Sequence, residues 1–341
     1  MPILKKSTQP SWRLALVFFT ALLTLTAADT VRPTIADPDV AAQIADAFQA
    51  LFGKHSGFRP VHAKGVVCEG DFTPAPSAAL LTRAAHLQRN ALPVIVRFSN
   101  FAGLPTISDT GSMAGPRGMA IKFMLPDGTD TDIVSHSYNG FPVATPGGFL
   151  AFLKALAAED GHAAPGTSEL DRFKAEHPRA REFLDDPMPA PLSYGTESFY
   201  GVDAFRFTNA EGESRFGRYI IRPVAAEAHL GSVEAAARAP DFLAQELSQR
   251  LKRGPVEFRL LVQLAGKGDS IQDASARWPQ SRTVVELGTL SLRTFVVDSS
   301  AMQRDLFFTP MNVLPGIATS EDPLLAARTR SYSQSYERRH Q

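Results

Sequence analysis

The sequence predicts an α+β fold, an antiparallel β-barrel with added helices, on three observations. First, β-rich runs follow one another with only turns or loops between them: VIVRFSN (94–100), GMAIKFML (118–125) and TDIVSHS (131–137). Second, VEFRLLVQL (256–264) alternates, which places Val256, Phe258, Leu260, Val262 and Leu264 on one face. Third, no linker or internal repeat divides the 341 residues, so residues 29–341 read as one domain. Strands that succeed each other without crossover helices pair antiparallel and close into a barrel or sandwich.

The elements follow in order. Asp37-Pro38 opens the first helix, with a side-chain acceptor at the cap and proline in the first turn. Val40, Ile44, Phe48 and Leu51 recur at helical spacing, and Gly53 closes the helix. Residues 58–73 read as extended and 77–90 as a short helix. A Gly/Ser/Asp-rich loop separates the strands at 94–100 and 118–125, and the PDG turn at 126–128 leads to the next strand. A helix over 146–158 carries Phe149, Phe152 and Leu153, and residues 159–198 are polar and partly helical. DAFRFTN (203–209) and RYIIRPV (218–224) form a hairpin across AEGES. A helix over 240–253 precedes the alternating strand, and 282–297 is a further strand broken at Gly288. From 300 the chain is loop-rich, and a last helix starts near Asp322-Pro323.

Composition narrows the function. The 35 basic and 35 acidic side chains leave no basic excess to neutralise phosphates, which argues against a nucleic-acid partner. The 23 phenylalanines, against 6 tyrosines and 2 tryptophans, suit a large core first and a flat apolar ligand second. A single cysteine, Cys68, excludes an internal disulfide and a cysteine-based zinc site. Lys5, Lys6 and Arg13 precede the apolar run 14–28, which has the length of a signal-peptide core and is short for a membrane span. Thr26-Ala27-Ala28 offers small residues for cleavage, so residues 1–28 read as a signal peptide and Asp29 as the mature N-terminus. A periplasmic or secreted protein is the expectation, with no stable membrane insertion once the signal is removed; an uncleaved anchor is the alternative.

The chain has no G-x-S-x-G, P-loop, H-E-x-x-H or G-x-G-x-x-G, which counts against a serine hydrolase, a nucleotide binder or a zinc protease. Two stretches carry more chemistry. In GFRPVHAKGVVCEGDF (57–72), His62 stands between cations and an apolar run. On its own this is satisfied by a partly buried histidine with one hydrogen bond. In RTRSYSQSYERRH (328–340), Arg328 and Tyr332 share a helix face at i and i+4, and Tyr336 and Arg339 continue it. A guanidinium beside a phenol stabilises the anionic oxygen, and tyrosinate is one of the few axial ligands of haem iron. A solvated helix with ordinary Arg–Tyr stacking accounts for the same residues.

Together with four further pieces, these stretches resemble the catalase family. R-P-V-H-A-K-G (59–65) resembles its distal motif, VRFSNFAG (96–103) its V-R-F-S-x-x-A-G, and PRGMAIKF (116–123) its P-R-G-x-A-x-K-F. Asp132-Ile133-Val134, FTPMNVLPGI (308–317) and the R-x-x-x-Y of the last helix follow in family order. The resemblance covers the catalase core from about 55 to 340 and lacks the extensions of large catalases, as in small catalase-related haem peroxidases. It implies haem b with Tyr332 as axial ligand, Arg328 beside it and Phe149 stacked on the macrocycle. Arg59, Arg97 and Arg339 match positions that pair with haem propionates, and Val61 narrows the space above the iron. His62 is then the distal acid–base group, held by Ser99. The substrates implied are peroxide and an unidentified reducing donor.

Departures matter too. The family's distal D-L-V-x-N-N reads D-I-V-S-H-S here, so His136 stands where an asparagine is expected, with Asn139 as a substitute if the strand bulges. An imidazole titrates near neutrality in water and an amide does not. The family's proximal-side histidine is replaced by Asp203, and a later helix histidine by Tyr336. These changes count against efficient dismutation, and His136 together with the shortened chain, which would leave the haem edge open to larger donors, favours donor oxidation. A hydroperoxide lyase or isomerase on the same fold, or a non-catalytic haem-binding protein, are the alternatives.

Overall fold

The structure is a computed structural model and describes residues 38–159 and 166–341, all within one compact unit. The expected signal peptide lies outside the described residues. The strands are β1 (Gly65–Pro74), β2 (Leu92–Ser99), β3 (Gly118–Met124), β4 (Asp130–His136), β5 (Phe199–Tyr200), β6 (Phe205–Thr208), β7 (Ser214–Pro223), β8 (Val256–Leu264), β9 (Val284–Phe295) and β10 (Ile317–Thr319). The helices are α1 (Pro38–Phe52), α2 (Pro76–Leu81), α3 (Pro146–Ala157), α4 (Glu169–Glu176), α5 (Pro178–Asp185), α6 (Ser232–Ala236), α7 (Phe242–Arg253), α8 (Ser300–Asp305) and α9 (Pro323–Arg339).

Pairing runs β7-β5-β4-β3-β2-β1-β9-β8, and β8 returns to β7, so eight antiparallel strands close a ring. β6 and β10 extend from β7 outside it. The expected barrel is therefore present. Phe72, Phe98, Phe123, Phe199, Phe207 and Phe258 are buried in the core cluster built from the barrel strands, each contributing roughly 1.5–3 kcal/mol of apolar burial. A second core forms where α1 and α3 meet: Ile44, Phe48 and Phe52 pack with Leu150, Phe152 and Leu153. Arg97 and Ser99 of β2, Ala120 of β3 and Val134 and His136 of β4 line a cavity together with residues of these helices and of α9.

Several boundaries differ from the sequence reading. Extended structure begins only at Gly65, because His62 adopts a left-handed φ of 56°. The helix expected over 77–90 ends at Leu81, since Thr82 is extended, and resumes as one 3-10 turn at Ala85–Leu87. The expected break at Gly288 is a bulge: Leu260 pairs with Gly288 but Leu261 with Glu286. A Cβ at Gly288 would lie 2.3 Å from Thr73 O, so only glycine fits. Along β8 both faces are buried from Leu260 to Leu264, not one. The short elements β5, α8 and β10 carry too few residues for a periodic signal.

Candidate active site

Strand register builds one wall. Ser99 of β2 pairs with Gly118 of β3, and Gly118 with His136 of β4. Directly paired residues point to the same face, so Ser99 and His136 flank a position with no side chain. His62 fills that gap: a Cβ on Gly118 would lie 3.0 Å from His62 Nδ1 and 2.5 Å from Ser99 Oγ.

The positive φ of His62 costs about 1–2 kcal/mol and persists because its surroundings hold it. His62 N–H donates to Phe101 O at 2.7 Å, Ala63 N–H donates to Ala102 O at 3.1 Å, and Arg97 Nη2 donates to His62 O at 2.9 Å. His62 Nδ1 lies 3.0 Å from Asn100 O and 3.1 Å from Ser99 Oγ. A carbonyl only accepts, so Nδ1 carries the proton and Nε2 is a free base on a ring that lines the cavity. Burial, then Arg97, pushes the His62 pKa down to about 3.

His136 has the opposite tautomer. Tyr138 N–H donates to His136 Nδ1 at 3.3 Å, so Nε2 carries the proton. That Nε2 is buried and has no partner among the described residues. Burial, then Arg328 and His62, lowers the His136 pKa to about 3. The titration near neutrality expected from an exposed imidazole is thus displaced well into acid, because water is excluded and cations stand nearby. The neutral ring offers one N–H, as an amide would. His136 lines the cavity and Asn139 does not.

Arg59, Arg97 and Arg339 converge at one end of the cavity. Arg59 donates to Gln303 O and Leu306 O, Arg339 to Arg304 O and Leu306 O, and Arg97 to Gln303 Oε1. None of the three forms an ion pair among the described residues. Burial, then Arg97 and Arg339, holds the Arg59 pKa well below its usual value; burial first takes Arg97 and Arg339 to about 10. Three enclosed cations without an acid partner fit a ligand bearing carboxylates.

The helix α9 supplies the facing wall. Its cap is Asp322, whose side chain accepts from Leu324 N–H, with Pro323 in the first turn. Arg328, Tyr332, Ser335 and Arg339 line the cavity at helical spacing. Tyr336 does not continue this face; it stacks on Arg339 at 4.6 Å. Arg328 Nε and Nη2 donate to Tyr332 Oη at 3.1 and 2.8 Å, while Nη1 donates to Asp203. Burial opposes the Arg328 charge, yet Asp203 and Tyr332 outweigh it and hold its pKa above the usual value.

Val61, Phe101, Phe141, Phe149 and Phe152 give the cavity apolar sides. Cations at one end, a phenol oxygen on one wall and imidazoles on another match the needs of haem, an iron macrocycle with two carboxylates. The catalase family model matches residues 50–341. The chain belongs to the catalase family. As a member it is an oxidoreductase acting on peroxide, and relatives carrying "Catalase-related peroxidase" in their names are closely similar. One from Mycolicibacterium paratuberculosis is 39% identical over 86% of this chain and 92% of its own length. Another, from Synechococcus elongatus, is 29% identical over 87% of this chain and 88% of its own. Against "Catalase-2" of Bacillus subtilis identity is 30%, but the match covers only 43% of that protein. A solved fungal catalase shares the fold at a TM-score of 0.74 and 22% identity, over 84% of this chain and 60% of that one.

Every site residue of the sequence reading lines this cavity: His62, Ser99, His136, Arg59, Val61, Arg97, Phe149, Arg328, Tyr332 and Arg339. Three positioning residues escaped it. Gln303 of α8 joins Arg59 to Arg97 and also donates to Gly65 O at 3.1 Å. Gly118 makes the room for His62. Asn100 presents the carbonyl that sets the His62 tautomer, and its side chain is fixed by Asp109 at 2.8 Å and Arg117 at 2.7 Å. Only Gly118 left a sequence signal, as the glycine of PRGMAIKF.

Proposed function

We propose that the protein is an exported, haem b-dependent hydroperoxidase that reduces hydrogen peroxide or organic peroxides and favours oxidation of an organic donor over dismutation. One observation carries this reading: a single cavity unites a histidine with a free Nε2, an Arg-held tyrosine oxygen and three arginines that form no ion pair among the described residues. Haem bound there supplies an iron centre that exchanges electrons with peroxide. Tyr332 Oη would hold the iron, and Arg59, Arg97 and Arg339 would hold the propionates. His62 Nε2 takes a proton from the near peroxide oxygen and returns it to the leaving oxygen. His136 Nε2–H donates to the peroxide and steadies it without changing charge. Ser99 and Asn100 keep the His62 ring aimed, and the phenylalanines exclude water.

The preference for a donor is supported by the names of the two peroxidase relatives. Export is supported by the composition of residues 1–28. The test is an absorbance spectrum of purified protein, then parallel assays of oxygen release and donor oxidation on peroxide addition. Donor oxidation exceeding oxygen release is expected. A haem spectrum with no peroxide turnover would mark a haem carrier, and donor-independent conversion of a fatty-acid hydroperoxide a lyase or isomerase. Cell fractionation with N-terminal sequencing tests export: mature protein starting at or near Asp29 is expected, and a cytoplasmic protein starting at Met1 would contradict it.

A further inference from the structure

Behind Tyr332 lies a buried ionic cluster that the peroxide chemistry does not use. Asp203, in the turn between β5 and β6, is only 2% exposed, and its Oδ2 accepts from Arg328 Nη1. The other donors of Arg328 end on Tyr332 Oη. One guanidinium therefore holds a carboxylate on one side and the phenol oxygen on the other. Asp203 Oδ1 is buried with no hydrogen-bond partner among the described residues. β10 pairs with β6, which brings the following segment beside Asp203: Ser320 N–H donates to Ala204 O at 3.2 Å. That segment carries Asp322, whose Oδ1 caps α9 while Oδ2 has no partner among the described residues. Burial, then Asp203, raises the Asp322 pKa to about 7, so below neutrality it relieves the cluster of a second charge. Arg218 completes the cluster, with its Nη groups held by the carbonyls of Ala276, Ser270 and Asp273.

A carboxylate kept dry with one oxygen unpaired is costly, and its ion pair with Arg328 offsets that cost; removing it would leave a buried guanidinium without its acid partner. We propose that Asp203 is a positioning residue for the peroxide reaction: it fixes Arg328 on Tyr332 Oη and offsets the positive charge that Arg328 places beside that oxygen. The inference rests on the reading of Tyr332 as the iron ligand. An axial oxygen beside an uncompensated cation donates less to iron. One beside a neutralised guanidinium donates more and favours the ferric state, which lowers the reduction potential.

The test is the reduction potential of the haem in the full protein, by spectroelectrochemistry, for wild type and three variants. Asp203→Asn removes the charge. Asp203→His removes it too, and each of the two neutral side chains keeps a hydrogen-bond acceptor for Arg328. Asp203→Glu keeps the charge. An upward shift in both Asp203→Asn and Asp203→His, with Asp203→Glu closer to wild type, is the expected result. Unmoved potentials in the two neutral variants, or an equal shift in Asp203→Glu, overturn the inference. Loss of haem in all three variants also overturns it, in favour of a purely structural role. A wild-type protein that takes up no haem removes the underlying reading as well, which separates the two failures.

Discussion

Gly118→Ala adds one methyl group to the middle of the barrel wall, and its consequence can be worked from distances. The new Cβ would lie 2.5 Å from Ser99 Oγ and 3.0 Å from His62 Nδ1. Gly118 is pinned by ladders on both sides, to Ser99 and to His136, so the backbone cannot recede. The side chains must give. The His62 Nδ1 bond to Asn100 O is 3.0 Å long, and a ring displaced by about 1 Å would break it and release the tautomer. A misplacement of about 1 Å costs on the order of 10²-fold in rate, within the roughly 10²–10⁴-fold contribution of a general acid–base group. Overpacking adds a stability loss of about 1–3 kcal/mol. Haem uptake should survive, because Tyr332 and the arginines lie elsewhere on the wall. Stopped-flow mixing of the haem-loaded variant with peroxide measures the first oxidation step directly. A loss of roughly 100-fold with normal haem content is predicted; a loss under threefold would refute the placing of His62 over Gly118.

Two further predictions concern the buried histidines. His136→Asn keeps one donor and should react with peroxide within a few-fold of wild type, whereas His136→Phe removes it and should lose about 2–10-fold, the worth of one net hydrogen bond; equal rates in both variants would show that His136 does not donate to peroxide. His86 is 1% exposed, and burial lowers its pKa to about 3. The unfolded chain binds a proton near pH 6.5 that the folded chain refuses, so this contribution to stability is intact above 6.5 and lost as pH falls towards 3. Denaturant titration of His86→Leu apoprotein should show a pH slope smaller by about 1.4 kcal/mol per unit between pH 6 and 4, and an unchanged slope would contradict the burial of a neutral ring.

Much of the barrel was legible because its strands are long enough to show alternation or continuous β-rich runs, as in β2, β3 and β8. The site residues were legible through the resemblance to the catalase family: the stretches around His62 and along α9 have ordinary structural readings on their own, and Arg97, Ser99, His136 and Phe149 follow only from matched positions elsewhere. What stayed hidden depends on contacts remote in sequence. The tautomers of His62 and His136 are set by Asn100 O and Tyr138 N–H, a detail no spacing encodes. That Arg59, Arg97 and Arg339 form no ion pair among the described residues appears only once the chain is folded, as does the bridge through Gln303, 206 residues from Arg97. The replacement of a histidine by Asp203 reads as a loss in sequence; in the structure it is a carboxylate seated on Arg328.

The central claim is that Tyr332 holds the iron of a bound haem. Its most direct test is the absorbance spectrum and haem-to-protein ratio of Tyr332→Phe beside wild type, each purified after expression with excess haem. Wild type is predicted to bind haem with an oxygen-ligated ferric spectrum. The variant, which loses one hydroxyl and keeps the aromatic ring, should lose haem or shift to a water-ligated spectrum while retaining its fold by circular dichroism. An unchanged spectrum at full haem content in Tyr332→Phe would contradict the account.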